Sequence, residues 1–139
     1  MIALLIRRPV GLPRPVLPLA SLALFAGGWA HLCLYRRSYH AIPTIGVMFA
    51  LNVAASAIVG VLLLVRRELV VRVAALGVAV TTVGFFAASR LPGGVFHFQE
   101  RGLQPAPQAA VALVAELVVT TAVAASLVWD RRAAAGGMT

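Results

Sequence analysis

The chain has one cysteine, no lysine and four acidic residues in 139 positions. A lone Cys33 excludes an intramolecular disulfide and any zinc or iron–sulfur site built from several cysteines. The four carboxylates, Glu68, Glu100, Glu116 and Asp130, form no paired set for acid–base work. There is also no Gly-rich phosphate loop, and no serine stands near a histidine in a nucleophile context. Charged residues make up 12% of the chain, against about 25% in soluble domains, and no soluble domain fits anywhere. All twelve basic residues are arginines beside apolar runs, a pattern that records membrane topology rather than a phosphate-binding face. Nucleic acid is therefore not an expected partner, despite a formal net charge of +8.

What fills the chain instead is apolar: 61% of residues are hydrophobic and the mean hydropathy is +0.95. Four runs at about 17–35, 42–65, 69–88 and 108–129 are each near the roughly 20 residues that cross a bilayer core of about 30 Å. Prolines at positions 9, 13, 15 and 18 discourage a helix before about residue 17, and Pro43 is tolerated in the first turn of the second helix. A signal peptide would also place arginines ahead of an apolar run, but this run continues to Tyr35 and three more follow. A tight connection at Arg66–Glu68 and the longest loop, 89–107, rich in Gly and Pro, separate the later spans, and the tail after Asp130, Arg131 and Arg132 reads as short, Gly-rich and frayed. With the N-terminus inside, eight arginines (7, 8, 14, 66, 67, 72, 131, 132) fall on the cytoplasmic side and four (36, 37, 90, 101) outside. The expected fold is all-α, one integral domain, a four-helix transmembrane bundle with N-in and C-in topology. Heavy use of Ala, Val, Leu and Arg suggests a GC-rich bacterial genome, hence the cytoplasmic (inner) membrane.

Glu116 is the only charge in the fourth run, and a carboxylate in hydrocarbon costs on the order of 2.5–3.5 kcal/mol even on lenient scales. It needs a partner or a polar cavity. At about 1.5 Å per residue, Glu116 lies roughly 12 Å below the outer boundary, His31 roughly 6 Å, and Thr81 and Thr82 roughly 10 Å, with Asn52 near the midplane and Arg90 at the rim. The polar groups thus gather in the outer half, and the inner half reads as almost purely apolar. Each helix also carries a seam of small residues: Ala20, Ala23, Gly27 and His31; Asn52, Ser56 and Gly60; Gly77, Thr81, Gly84 and Ala88; Ala109, Ala112, Glu116 and Thr120. Four such seams suggest a compact bundle with a polar pocket opening outward.

Glu116 reads either as a proton- or ligand-binding carboxylate or as a structural partner for Arg90 or His31. The expectation is that it lies within hydrogen-bond reach of one of them, directly or through one water. Arg90 could instead snorkel to headgroups. His31 could serve a metal or heme, but no second histidine falls in a span to complete a heme ligand pair. His31, His40 and His97 make a weakly signalled surface metal site. Asn52, Thr81 and Thr82 read more simply as interhelical hydrogen-bond glue. Trp29, Tyr35, Tyr39 and Trp129 read as interfacial anchors. No cofactor is expected.

His31-Leu32, Tyr39-His40, IPTIGVMF, SRLPGGVFHF with its Ser-Arg-x-x-Gly-x-x-Phe turn, and the single Glu116 together resemble a group of small four-span bacterial integral membrane proteins. The resemblance covers about 27–129 and implies that His31, Arg90 and Glu116 belong together; it brings no activity with it. PTIGVMFALNVAASAIVG also resembles the asparagine-bearing helix of small dual-topology fluoride channels. That family's phenylalanine-lined helix break is not evident here, and the arginine bias argues against dual topology.

Two functional classes follow. In the first, the chain is a non-catalytic membrane subunit that docks another membrane protein or a copy of itself in the lipid bilayer. In the second, it is a small proton- or cation-coupled transporter or channel using Glu116, His31 and Arg90. An enzyme or heme carrier stands behind both.

Overall fold

The computed structural model describes residues 15–136, which fold into four helices: α1 Val16–Arg37, α2 Ile45–Val65, α3 Leu69–Ala88 and α4 Gln108–Gly136. Arg7, Arg8 and Arg14, with the apolar start ahead of them, lie outside the described residues. All four helices are long and apolar enough to cross a membrane, so the chain is a small polytopic membrane protein of all-α, four-helix-bundle architecture. Short connections make successive helices antiparallel. They pack as a ring in which α1 meets α2 and α4, α3 meets α4, and α2 and α3 touch least. Large apolar side chains such as Leu22, Val47, Ile58, Val80 and Val114 point outward, where lipid replaces water as the solvent.

Small residues set the closest approaches. On one face of α1, Gly27 lies against Ala115 and Glu116 of α4. On the adjacent face, Gly28 lies against Ser56 of α2, and Ser21 Oγ donates to the Gly60 carbonyl at 2.6 Å. A Cβ at Gly28 would come within 2.9 Å of Ser56 Cβ, so the α1–α2 spacing depends on that glycine. The expected α3 seam does not pack: Gly77 and Gly84 have nothing within 4 Å of where a Cβ would sit, and Thr81 is exposed. The buried face of α3 is instead Val71, Arg72, Ala75 and Ala79. These recur every three to four residues, whereas Gly77 is two residues from Ala75 and therefore on the other side of the helix.

The core fills the half of the bundle nearest the chain ends, around Leu17, Leu24, Leu63, Val71, Val119 and Val123. That half is not purely apolar. Arg72, counted above as a loop marker, is 2% exposed; its Nη2 donates to Asp130 Oδ2 at 2.6 Å and its Nη1 to Ser126 Oγ at 3.2 Å. Without Arg72, seven arginines still stand against four in the two sets of loops. The pairing also explains why α4 runs on to Gly136 instead of fraying after Trp129: Asp130 must stay helical to face α3. At its other end, α2 starts at Ile45, not 42. Tyr39–Ala41 form a 3₁₀ turn and Thr44 sits at φ 65, so Pro43 precedes the helix.

Removing one member of a buried ion pair leaves the other charge without compensation, which typically costs about 3–5 kcal/mol. Asp130→Ala and Arg72→Met should each lower the melting temperature in detergent markedly, with the loss near the low end of that range because Asp130 is partly exposed. The double variant Arg72→Met/Asp130→Leu should recover most of the loss. Equal stability of the single variants and the wild type would show that α3 and α4 are not joined here.

Candidate functional site

At the α3–α4 loop end the helices part around a cavity of about 640 Å³. Its wall contains all six residues singled out from the sequence: Glu116, His31, Arg90, Asn52, Thr81 and Thr82. Thr81 and three other wall residues, Leu51 of α2 and Gly77 and Phe85 of α3, are exposed, which places an opening between these two helices; Thr44 and Phe96 are exposed at the loop end. The cavity therefore opens sideways between α2 and α3 as well as toward the loop end. Its wall is mostly apolar and aromatic, with Met48, Phe49, Phe86 and Phe98 prominent.

Glu116 is fully buried, and neither of its carboxyl oxygens has a hydrogen-bond partner. Oε1 lies so close to α1 that a Cβ on Gly27 would come within 2.9 Å of it. Glu116 makes no direct bond to His31 or Arg90. His31 turns its Nδ1 to the Gly27 carbonyl of its own helix, at 2.8 Å. A carbonyl can only accept, so Nδ1 carries the proton and Nε2 of the neutral ring is left as an acceptor. Gly27 thus touches both residues without bringing them into contact.

Arg90 neither snorkels nor reaches Glu116, because nearer acceptors take up its guanidinium. Nη1 donates to the Phe86 carbonyl at 3.1 Å and to Ser89 Oγ at 2.6 Å, Nε to the Gly102 carbonyl at 3.0 Å, and Nη2 to the Gln104 carbonyl at 2.9 Å. It pairs with Glu100 at 3.2 Å and stacks 3.6 Å above the centre of the Phe86 ring. Arg90 is thereby the knot of the loop. The loop is held further by a two-residue turn with reciprocal Val95–Phe98 backbone bonds, in which Phe96 and His97 take φ 51 and 63. Gly94, at φ 59, can only be glycine: a Cβ there would overlap the Phe98 carbonyl.

Tyr39, read from sequence as a membrane anchor, donates its hydroxyl to Glu100 Oε1. Its ring leads from Phe98 (centroids 5.6 Å) to Phe49 (4.8 Å) and on to His31 (5.0 Å), an aromatic column from the loop into the cavity wall. Burial first, then the hydrogen bond and charge of Glu100, push the Tyr39 phenol above its ordinary value. Glu100 was legible only as a loop charge; no local spacing links it to Tyr39, 61 residues earlier.

Asn52 Nδ2 donates to Thr82 Oγ1 at 2.7 Å, which in turn donates to the Val78 carbonyl at 2.8 Å, tying α2 to α3 beneath the opening. The three histidines do not gather. His40 Nδ1 donates to the Tyr35 carbonyl at 2.8 Å, His97 is exposed in the turn, and among the described residues no group of three His, Cys, Asp or Glu side chains could hold a metal ion. Comparison of the chain with protein-family models, with characterised proteins and with solved structures returns no match.

A phenol whose folded pKa is raised favours the protonated form. The Tyr39–Glu100 contact therefore contributes fully below the unfolded value of about 10 and is lost as pH climbs toward the higher folded value. In a Tyr35→Phe background, the phenolate absorbance of Tyr39 should appear above pH about 10, and Glu100→Gln should bring it down. Titration of Tyr39 at the ordinary tyrosine pH would mean the loop does not close on it.

Proposed function

We propose that this is a non-catalytic protein of the bacterial cytoplasmic membrane, with both termini inside, whose working part is the cavity. The cavity is an outward-half pocket that binds a small, largely apolar molecule, and the protein acts alone or as a subunit beside another membrane protein or a copy of itself. The observation that carries this reading is Glu116: fully buried, with both oxygens unpartnered, in the wall of a cavity. An unpaired polar group in a water-poor interior is costly to keep, and such intramembrane groups mark binding sites by default. The volume of about 640 Å³ is within the range of small-molecule pockets. The resemblance that groups His31, Arg90 and Glu116 fits the same reading, since the three share one wall.

A proton- or cation-coupled carrier is the second reading, and the buried Glu116 carboxyl favours it. Against a continuous channel stands the packed half below the cavity, with Leu24, Leu63 and Val119 in its core and the Arg72–Asp130 pair beyond them. A carrier would need that half to open.

The test is binding of an uncharged, environment-sensitive naphthalene dye to the protein in phosphatidylcholine nanodiscs. Wild type should show saturable binding near one dye per chain, above the linear partition into lipid. Ala55→Trp, which adds bulk at the cavity wall, should melt like wild type and lose the saturable component. Linear partition alone in the wild type would remove the pocket as the functional site. Glu116→Gln separates the second reading: a carrier loses proton-driven flux in proteoliposomes while still folding.

A further inference from the structure

We propose that the cavity recognises an ammonium group carried on an apolar body, with the Glu116 carboxylate as its acceptor. The inference rests on the pocket reading above and adds the chemical class of the ligand.

Hydrogen-bond bookkeeping in the wall points this way. Most of its donors are already engaged inside the protein; the hydroxyls of Thr44 and Thr81, both exposed, make no bond and can accept as well as donate. Arg90 spends Nε, Nη1 and Nη2 on loop carbonyls and Ser89, and its charge is balanced by Glu100. The Asn52 amide donates to Thr82, Thr82 donates to Val78, and His31 Nδ1 donates to Gly27. Three acceptor atoms are left unused: both Glu116 oxygens are unpartnered, and His31 keeps Nε2. A ligand that satisfies the buried Glu116 oxygens must therefore bring donors. A second carboxylate or a phosphate would meet no free cation among the described wall residues, whereas a carboxylate facing an ammonium makes a charge-assisted hydrogen bond, roughly twice as strong as a neutral one.

The surroundings select the rest of the molecule. Phe49, Phe86 and Phe98 supply ring faces and edges to an apolar body, and ring faces also attract a cation. The opening between α2 and α3 lies on the lipid-facing side of the bundle, so a ligand that partitions into lipid can reach the wall. Two sources carry this chemistry: a free lipophilic amine and the headgroup of an ethanolamine phospholipid.

The experiment uses displacement of the same naphthalene dye by three matched compounds: 4-phenylbutylamine, 4-phenylbutanol and 4-phenylbutyrate. In phosphatidylcholine nanodiscs, whose headgroup has no N–H, the amine should displace the dye at a concentration at least tenfold below that of the alcohol, with the carboxylate weakest. Glu116→Gln should lose the amine's advantage over the alcohol, whatever its own affinity for the dye. Equal displacement by all three in the wild type overturns the proposal while leaving the pocket standing; absence of saturable dye binding fails the pocket reading itself. Because the wild-type comparison needs no variant, poor folding of Glu116→Gln does not blunt the test. Repeating it in phosphatidylethanolamine nanodiscs separates the sources: an amine advantage that persists assigns a free amine, and one that vanishes there alone assigns the lipid headgroup.

Discussion

The contact of Gly27 on α1 with the Glu116 carboxyl on α4 sets the terms for the upper half of the bundle. Only a residue without a Cβ lets α1 come close enough to enclose Glu116 completely, and enclosure is what removes the carboxyl from lipid. The same glycine supplies the carbonyl that fixes His31. One backbone position therefore determines how the acidic group is buried and which nitrogen of the neighbouring imidazole is free. A larger residue at this position would meet the far end of the flexible Glu116 side chain, so the bundle could persist while the carboxyl moved. At Gly28 the neighbour is Ser56 Cβ, which cannot swing away, and there the helix spacing itself would have to change.

The two ends of the bundle handle polarity by opposite means. Near the chain ends, Arg72, Asp130 and Ser126 are tied to one another above a packed apolar core. Near the α3–α4 loop, Arg90 is satisfied more fully, from Nε as well as both Nη atoms, through Glu100 and nearby carbonyls, so its donors are turned toward the loop. Tyr39 extends that network across to the connection between α1 and α2. The loop is thereby held over the cavity while α2 and α3 stay apart at its side. Glu116, lying below this network and outside it, keeps its acceptor capacity for whatever enters.

Much of this was legible in the sequence because membrane spans are fixed by length and apolarity, quantities that need no tertiary information. The start and end of α3 follow from Glu68 and Ser89 flanking an apolar run. Glu116, His31, Asn52 and Thr82 stand out because a polar side chain inside a span is rare, and depth alone puts them, with Arg90 at the rim, in the outer half or at the middle. Pairing was not legible. Glu116 and Arg90 sit at compatible depths, yet Arg90 finds Glu100 first, since the loop returns that residue to the end of its own helix: Glu100 N donates to the Ser89 carbonyl at 2.9 Å. Facing failed on α3 for a related reason. Its glycines mark a stripe that could pack closely, but Ala75, Ala79 and the Arg72 pair with Asp130 turn the opposite face inward. A charge next to a span end looks like a topology signal until a partner 58 residues away makes it an interior group.

The central claim is that Glu116 stands unpartnered in a cavity reached from the lipid side. Labelling with N,N′-dicyclohexylcarbodiimide, a small apolar reagent that enters from the bilayer, tests it most directly. The Glu116 carboxyl oxygen bonds to the carbodiimide carbon, its proton passes to a reagent nitrogen, and the O-acylisourea rearranges to a stable N-acylurea. The account predicts an adduct on Glu116 in peptide mass spectra of folded protein, formed ahead of any on Glu100 or Asp130, which are held in ion pairs. A folded protein whose Glu116 stays unmodified while those two react would contradict it.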